Sequence, residues 1–308
     1  MNKLSQIESA YRAGSLPKKT YIKKMHERHL LLWEHSEFLQ NKNIESIIMD
    51  HQRIVVRTKS GVRLICDPQD KRHMFMEILN FNDYEAAELK MMKLLLKKNS
   101  IILDIGANVG WYSIHLARQV PQGKIFAFEP IPRTYDFLTE NIALNGLTNI
   151  KTYKIGFSDK AGFFNFYYNR DYPTATSLKD IMQGNDVALV KCRVERLDDF
   201  LKKHRIKHFD FIKCDVEGAE KFVIEGGSQA IAENKPIIFL ELLRKWSAKF
   251  NYHPNDVINA LAHIGYACCE IAETRLQQIE KITDATESTN FYFLHKTHHA
   301  SLLRKFAR

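Results

Sequence analysis

The chain has 308 residues, 45% of them hydrophobic, and a formal net charge of +9, which suits one large packed domain or a domain with an extension. No apolar run approaches the ~18 residues of a membrane span and the N-terminus lacks an apolar signal region, so the expected compartment is the cytoplasm. Five cysteines with no C-x-x-C pair argue against a disulfide framework and a zinc site, while the positive charge points to an anionic partner: nucleic acid, anionic lipid or a phosphate-linked sugar carrier.

Residues 3 to 41 read as helical, with Tyr21, Met25, His29 and Leu32 at three- and four-residue steps and with Gly14 and Pro17 dividing a short helix from a longer one. Residues 44 to 66 alternate as strands, and Ile54–Arg57 and Val62–Cys66 flank Lys59-Ser60-Gly61 as a hairpin expected to pack over the edge of the following domain. Glu85 to Lys97 is patterned as a helix with Leu89, Met92 and Leu95 on its core face. Residues 1–97 thus form an N-terminal helical and hairpin extension, and 98–308 the main domain.

The main domain opens on Ile101-Ile102-Leu103-Asp104-Ile105, an apolar run with the β-branched density of a strand buried on both faces. It breaks into Gly106-Ala107-Asn108-Val109-Gly110 and then into a helix from Trp111. Gly106 and Gly110 would let the backbone approach a ligand at the carboxyl end of the strand. A second strand, Lys124 to Phe128, ends in Glu129, about 25 residues after Asp104 and near the distance at which such folds place a ribose-binding carboxylate. A third, Phe209 to Cys214, ends in Asp215, and a fourth, Ile237 to Leu240, ends in Glu241.

Acids at successive strand ends would repel a pyrophosphate and hold a sulfonium and an ammonium, which favours S-adenosylmethionine over NAD. The turn also has Asn108 where the dinucleotide fingerprint has its second glycine. Further strands near 150, 267–271 and 290–294 and helices near 132–145, 219–231 and 254–264 continue the alternation of an α/β parallel sheet, with Gly146 and Gly265 as helix caps. Residues 163–168 and 188–194 read as strands enclosing a loop with Thr174, Thr176 and Ser177, taken as either active-site cover or surface excursion.

These residues resemble the FkbM-type methyltransferases of the class I S-adenosylmethionine-dependent group. The resemblance rests on 103–113, on Phe128-Glu129-Pro130, on Gly156-Phe157-Ser158-Asp159, on 212–220 and on Thr289-Asn290-Phe291, and it spans roughly residues 100 to 296. It implies a mostly parallel Rossmann-like sheet with a terminal antiparallel strand. It also implies O-methyl transfer, often onto sugars of polysaccharides, glycolipids or secondary metabolites. Gly156-Phe157 departs from the Ala-Leu usual before the Ser-Asp pair.

The expected cofactor contacts are Asp104, Gly106, Asn108, Gly110, Glu129, Ser158, Asp159 and Asp215. Asp215 is read as general base or electrostatic orienter, or as sharing one divalent cation with Glu241, and a metal requirement stays open. His253 is a second candidate base, because an imidazole suits proton transfer at neutral pH. Glu241, Arg244, Trp246 and Tyr252 are the candidate acceptor contacts, cations for a phosphate or carboxylate and aromatics for a sugar ring. The acceptor is expected to be a sugar or glycan, free or phosphate- or lipid-linked. No nucleic acid is expected, although RNA methylation and a non-catalytic binding role stand as alternatives. The basic segments, Lys18 to Arg28 and His298 to Arg308, read as solvated faces or as peripheral membrane contacts.

Overall fold

In a computed structural model, residues 3–71, 74–169, 172–173, 176–180, 187–273 and 275–306 are described; the loop residue Thr174 lies outside them. The central strands are β4 (Ile101–Ile105), β5 (Lys124–Phe128), β6 (Ile150–Tyr153), β10 (Phe211–Cys214) and β11 (Ile237–Glu241), and they pair in parallel in the order β11-β10-β4-β5-β6. Side chains alternate across this sheet as a two-residue period requires. Ile102, Ile125, Phe211, Ile237 and Phe239 enter one apolar cluster, whereas Leu103, Phe126, Phe128, Ile212, Ile238 and Leu240 enter the other. Both faces are buried, which is why these strands read as nearly continuous apolar runs.

The sheet continues beyond β11 through β14 (Asn290–His295), β12 (Tyr266–Ala272) and β13 (Arg275–Ile279). β14 is antiparallel, as the resemblance implied, and it is inserted between β11 and β12, pairing Leu240 with Phe291 and Cys268 with Phe293. β13 escaped the sequence reading: Arg-Leu-Gln-Gln-Ile is mostly polar, and it joins as an edge strand through the backbone of β12. The expected helix 219–231 is two, α8 (Glu220–Gly226) and α9 (Ser228–Asn234), broken at Gly227 where the chain packs against the Leu197 side chain.

On the first face lie α4 (Ala86–Leu95), α5 (Trp111–Gln119) and α6 (Pro132–Leu144); on the second lie α7 (Leu197–Lys203), α8, α9 and α11 (Pro254–His263). The N-terminal strands β1 (Ile44–Met49), β2 (Ile54–Thr58) and β3 (Arg63–Ile65) form an antiparallel meander. It packs on the helix layer rather than on the sheet edge. The Ile65 N–H donates to Asn141 Oδ1 at 2.8 Å, and Ile44, Val56, Val62 and Leu64 share the first-face cluster with α4 and α5. Burying those four side chains requires a broad apolar surface, which the helices offer and the hydrogen-bonding edge of a sheet does not. By contrast α1 (Lys3–Arg12) and α2 (Lys18–Leu39) bury no residue and are joined by the stacked rings of Tyr11 and Tyr21, 4.3 Å apart.

A short sheet of β7 (Gly156–Phe157), β9 (Val187–Glu195) and β8 (Gly162–Asn169) stands above the C-terminal ends of the parallel strands. Ser177, at the tip of this excursion, pairs with Tyr167 and donates from Oγ to the Glu217 carbonyl at 2.7 Å. Ser177 is therefore fastened over the strand ends.

Candidate active site

β4 is followed in sequence by β5 on one side and is paired with β10 on the other, so a crevice opens at its carboxyl end, where α/β sheets take their ligands. A cavity of about 590 Å³ lies there. Gly106 and Asn108 form its floor, Glu129 and Ile131 one side, Asp215 and Glu217 the other. Ile155, Gly156, Phe157 and Phe166 make an apolar end, and Glu241, Lys245 and Trp246 close the opposite end. Pro173, Thr176 and Leu178, beside the fastened Ser177, lie on the cavity rim and cover it.

Glu129 is buried, and its carboxylate accepts the N–H of Asn108 and of Ile131, each at 3.0 Å. Burial outweighs those bonds and pushes its pKa up to about 7. Two backbone donors orient the group and leave lone pairs for a diol. Asp215 and Glu241, at the ends of adjacent strands, and Glu217, in the turn, bring carboxylate oxygens within 4.8 Å of one another. Burial, then Asp215 and Glu217, raise Glu241 well above the ordinary range, and its hydrogen bond with Asp215 acts in the same sense.

Beneath them sits Lys213, 3% exposed. Its ammonium donates to the Gly106 carbonyl at 2.8 Å and lies 3.3 Å from Asp215 Oδ2 and 3.8 Å from Asp104 Oδ1. Burial presses its pKa down, but Asp215, Asp104 and Glu85 more than offset this, so it stays charged. Two residues before Asp215, it points to the same side and ties the β4 turn to the β10 turn.

Several expected contacts lie elsewhere. Asp104 does not reach the cavity: fully buried, it accepts from Ser113 Oγ at 2.6 Å and faces Lys213, so it fixes the turn from below. The glycines also answer to close packing within the protein, Gly106 while lining the cavity floor. A Cβ on Gly106, at φ +75°, would strike the Asp215 carbonyl oxygen, and one on Gly110, at φ +96°, would meet Leu138 Cδ1 at 2.8 Å. Ser158 and Asp159 bond to each other behind the strand, where Asp159 also pairs with Lys160; Ile155 to Phe157 hold the cavity side.

Arg244 turns away to Thr283 and Asp284, and Lys245 takes the cavity position instead. Tyr252 is buried, donating to the Gly218 carbonyl at 2.9 Å. His253 is not a base in this site. Its Nδ1 accepts the Asn255 N–H and its own N–H donates to Asp256, so it caps α11.

The wall that sequence reasoning missed comes from the N-terminal extension: α3 (Met74–Phe81) supplies Glu77 and Phe81, and the turn leading into α4 supplies Asp83, Tyr84 and Glu85. Glu85, at φ +49°, accepts from Tyr112 Oη at 2.6 Å, and burial pushes it to about 7 against that bond. No motif marks these residues; only Tyr112, next to the Gly-rich turn, hints at a partner.

Among the described residues the cavity therefore carries seven carboxyl groups (Glu77, Asp83, Glu85, Glu129, Asp215, Glu217, Glu241) against one lining cation, Lys245. Such a lining disfavours a pyrophosphate and suits a ligand with positive charge. A nucleoside fits the rest, with its diol at Glu129 and its base against the apolar end, and the volume is that of an ordinary small-molecule site. S-adenosylmethionine has these parts.

Comparison with known proteins agrees. The model of the Methyltransferase FkbM domain matches residues 104–268. Methyltransferase sdnD of Sordaria araneosa is 31% identical over 185 residues, 51% of this chain and 69% of that protein. The 2-O-methyltransferase NoeI of Sinorhizobium fredii is 26% identical over 47% of this chain and 65% of its own length. The hexuronic acid methyltransferase AglP of Haloferax volcanii is 26% identical over 50% and 62%. The chain spans about two thirds of these relatives. With the turn, the strand-end acids and the domain match in register, the chain belongs to the FkbM family of S-adenosylmethionine-dependent methyltransferases.

Proposed function

We propose that the protein transfers a methyl group to a hydroxyl oxygen of a sugar or glycan, with Asp215 as the base or orienter of that hydroxyl. The observation that carries this reading is the trio Asp215, Glu217 and Glu241 at the ends of β10 and β11, beside the Gly106 turn. When bound, S-adenosylmethionine would supply an electrophilic methyl on a sulfonium, whose C–S bond breaks to leave a neutral thioether. Asp215, held by Lys213 at 3.3 Å, accepts a hydrogen bond from the acceptor hydroxyl and takes its proton as the new C–O bond forms. Glu241, its pKa raised by burial and the neighbouring acids, donates to the Asp215 carboxylate and orients it, and Trp246 offers a ring face for the sugar. The names of two relatives, a 2-O-methyltransferase and a hexuronic acid methyltransferase, support an oxygen acceptor on a sugar. RNA is disfavoured because its phosphates would approach seven carboxyl groups.

The direct test is mass spectrometry of sugar nucleotides and lipid-linked glycans after incubation with isotopically labelled cofactor. Asp215→Asn should bind the cofactor normally and lose ~100-fold in turnover; turnover within threefold of wild type refutes the role. The same three carboxylates have the spacing of a divalent-cation site. Loss of activity in chelator, restored by Mg²⁺ or Mn²⁺, would make the trio a metal clamp rather than a base.

A further inference from the structure

Beside the first cavity lies a second, also of about 590 Å³, whose electrical character is opposite. Lys59 from the hairpin turn and Lys90 and Lys93 from α4 line it, and Asp83 is its one acid among the described residues. The field there is net positive: burial and Arg118 both press on the Lys93 ammonium, and Arg118 is itself pressed by burial, Arg63 and Arg57. On the α5 wall stand Trp111 and His115, with ring centroids 4.4 Å apart. Both are more than nine-tenths buried, yet Trp111 Nε1 and His115 Nε2 have no hydrogen-bond partner among the described residues. Those two atoms are closed off from solvent, so the two rings offer the cavity their faces and edges rather than a hydrogen bond. Burial keeps the imidazole neutral, its pKa pushed down to about 3.

Three lysines against one acid select an anion. The two cavities meet at Asp83 and Tyr84, which line both. An acidic acceptor could not lay its charge among the seven carboxyl groups of the first cavity; the second offers that charge a place next door. We propose that the second cavity holds the phosphate or carboxylate of the acceptor while the hydroxyl to be methylated reaches the first. This rests on the glycan O-methyltransferase reading, and it assigns a binding role to the N-terminal extension, which supplies Lys59, Lys90 and Lys93.

The three tryptophans of the chain provide the test, since Trp33 is exposed on α2, Trp111 lines the second cavity and Trp246 the first. Indole N–H resonances of the ¹⁵N-labelled full chain are followed during titration with glucose 1-phosphate, glucuronate and, separately, S-adenosylmethionine. Glucose 1-phosphate or glucuronate should move the Trp111 signal and leave Trp33 in place, and the tighter of the two identifies the anionic group. The double variant Lys90→Ala/Lys93→Ala should weaken that titration at least ~10-fold through loss of two charge-assisted contacts, while cofactor affinity by calorimetry stays unchanged. A Trp111 signal that moves with neither anion, or that titrates equally in the double variant, overturns the inference. Absence of methyl transfer from labelled cofactor to any sugar or glycan would count against the glycan O-methyltransferase reading alone, because the Trp111 response is read independently.

Discussion

Glu129 shows how one side chain can be constrained from two directions. Its two backbone donors orient it, yet burial still holds its pKa at about 7, where half the population carries a proton. A cationic cofactor that donates hydroxyls to it favours the ionised form, so binding must release a proton near neutral pH. Cofactor affinity should therefore rise with pH through about 7, with proton release visible by calorimetry in buffers of different ionisation enthalpy. Glu129→Ala should lose both the pH dependence and ~1.5–3 kcal/mol per charge-assisted hydrogen bond. His253 makes the contrasting case: as the cap of α11 it contributes stability rather than chemistry. His253→Ala should cost about 1 kcal/mol in denaturant unfolding and leave kcat intact. Asp215, Glu129 and Glu241 were legible in the sequence because each ends an apolar run. Arg244 and Lys245 were not separable, since adjacent residues on a short helix point in different directions and the contact with Asp284, 40 positions away, decides which one leaves.

At the scale of elements, the parallel strands and their helices were legible because periods of two and 3.6 residues are written locally. The break at Gly227 and the polar edge strand β13 depend on neighbours from elsewhere in the chain, and periodicity does not see them. The N-terminal segments divide by burial. Leu64 is 1% exposed and shares the first-face cluster, whereas Trp33 on α2 is 62% exposed. Leu64→Ala should destabilise the fold by about 2–5 kcal/mol, as a cavity in a packed core does, while Trp33→Glu should change stability by less than about 0.5 kcal/mol. Paired thermal and urea melts of the two variants check this. Equal effects would show that α2 packs on the body of the protein.

For the whole molecule, the net charge of +9 was a poor guide to the site. Net charge is a sum over the surface, and the cavity concentrates the minority sign. Glu85, Glu129 and Glu220 are each raised by burial from 4.5 to about 7. The folded state then binds more protons than the unfolded chain between those values, and stability falls as pH rises across that window. Below 6.5 the buried His115 and His299, pushed down to about 3 and about 4, act in the opposite sense. The carboxyl effect is therefore uncompensated only from about pH 6.5 upward. Ligand-free protein should melt higher at pH 6.5 than at 7.5, and S-adenosylmethionine should reduce the difference; a melting point that rises with pH over this range would contradict the burial of these acids.

The sequence by itself determined the doubly covered sheet, the Gly-rich turn and a strand-end carboxylate chemistry suited to a cationic nucleoside, because each is encoded in a few consecutive residues. Only the tertiary structure decided that Lys213 joins the two turns, that residues 77–85 of the extension form a wall, and that His253 and Arg244 stand outside. Which side chain reaches a cavity is set by contacts between segments far apart in the chain, and no local pattern records them.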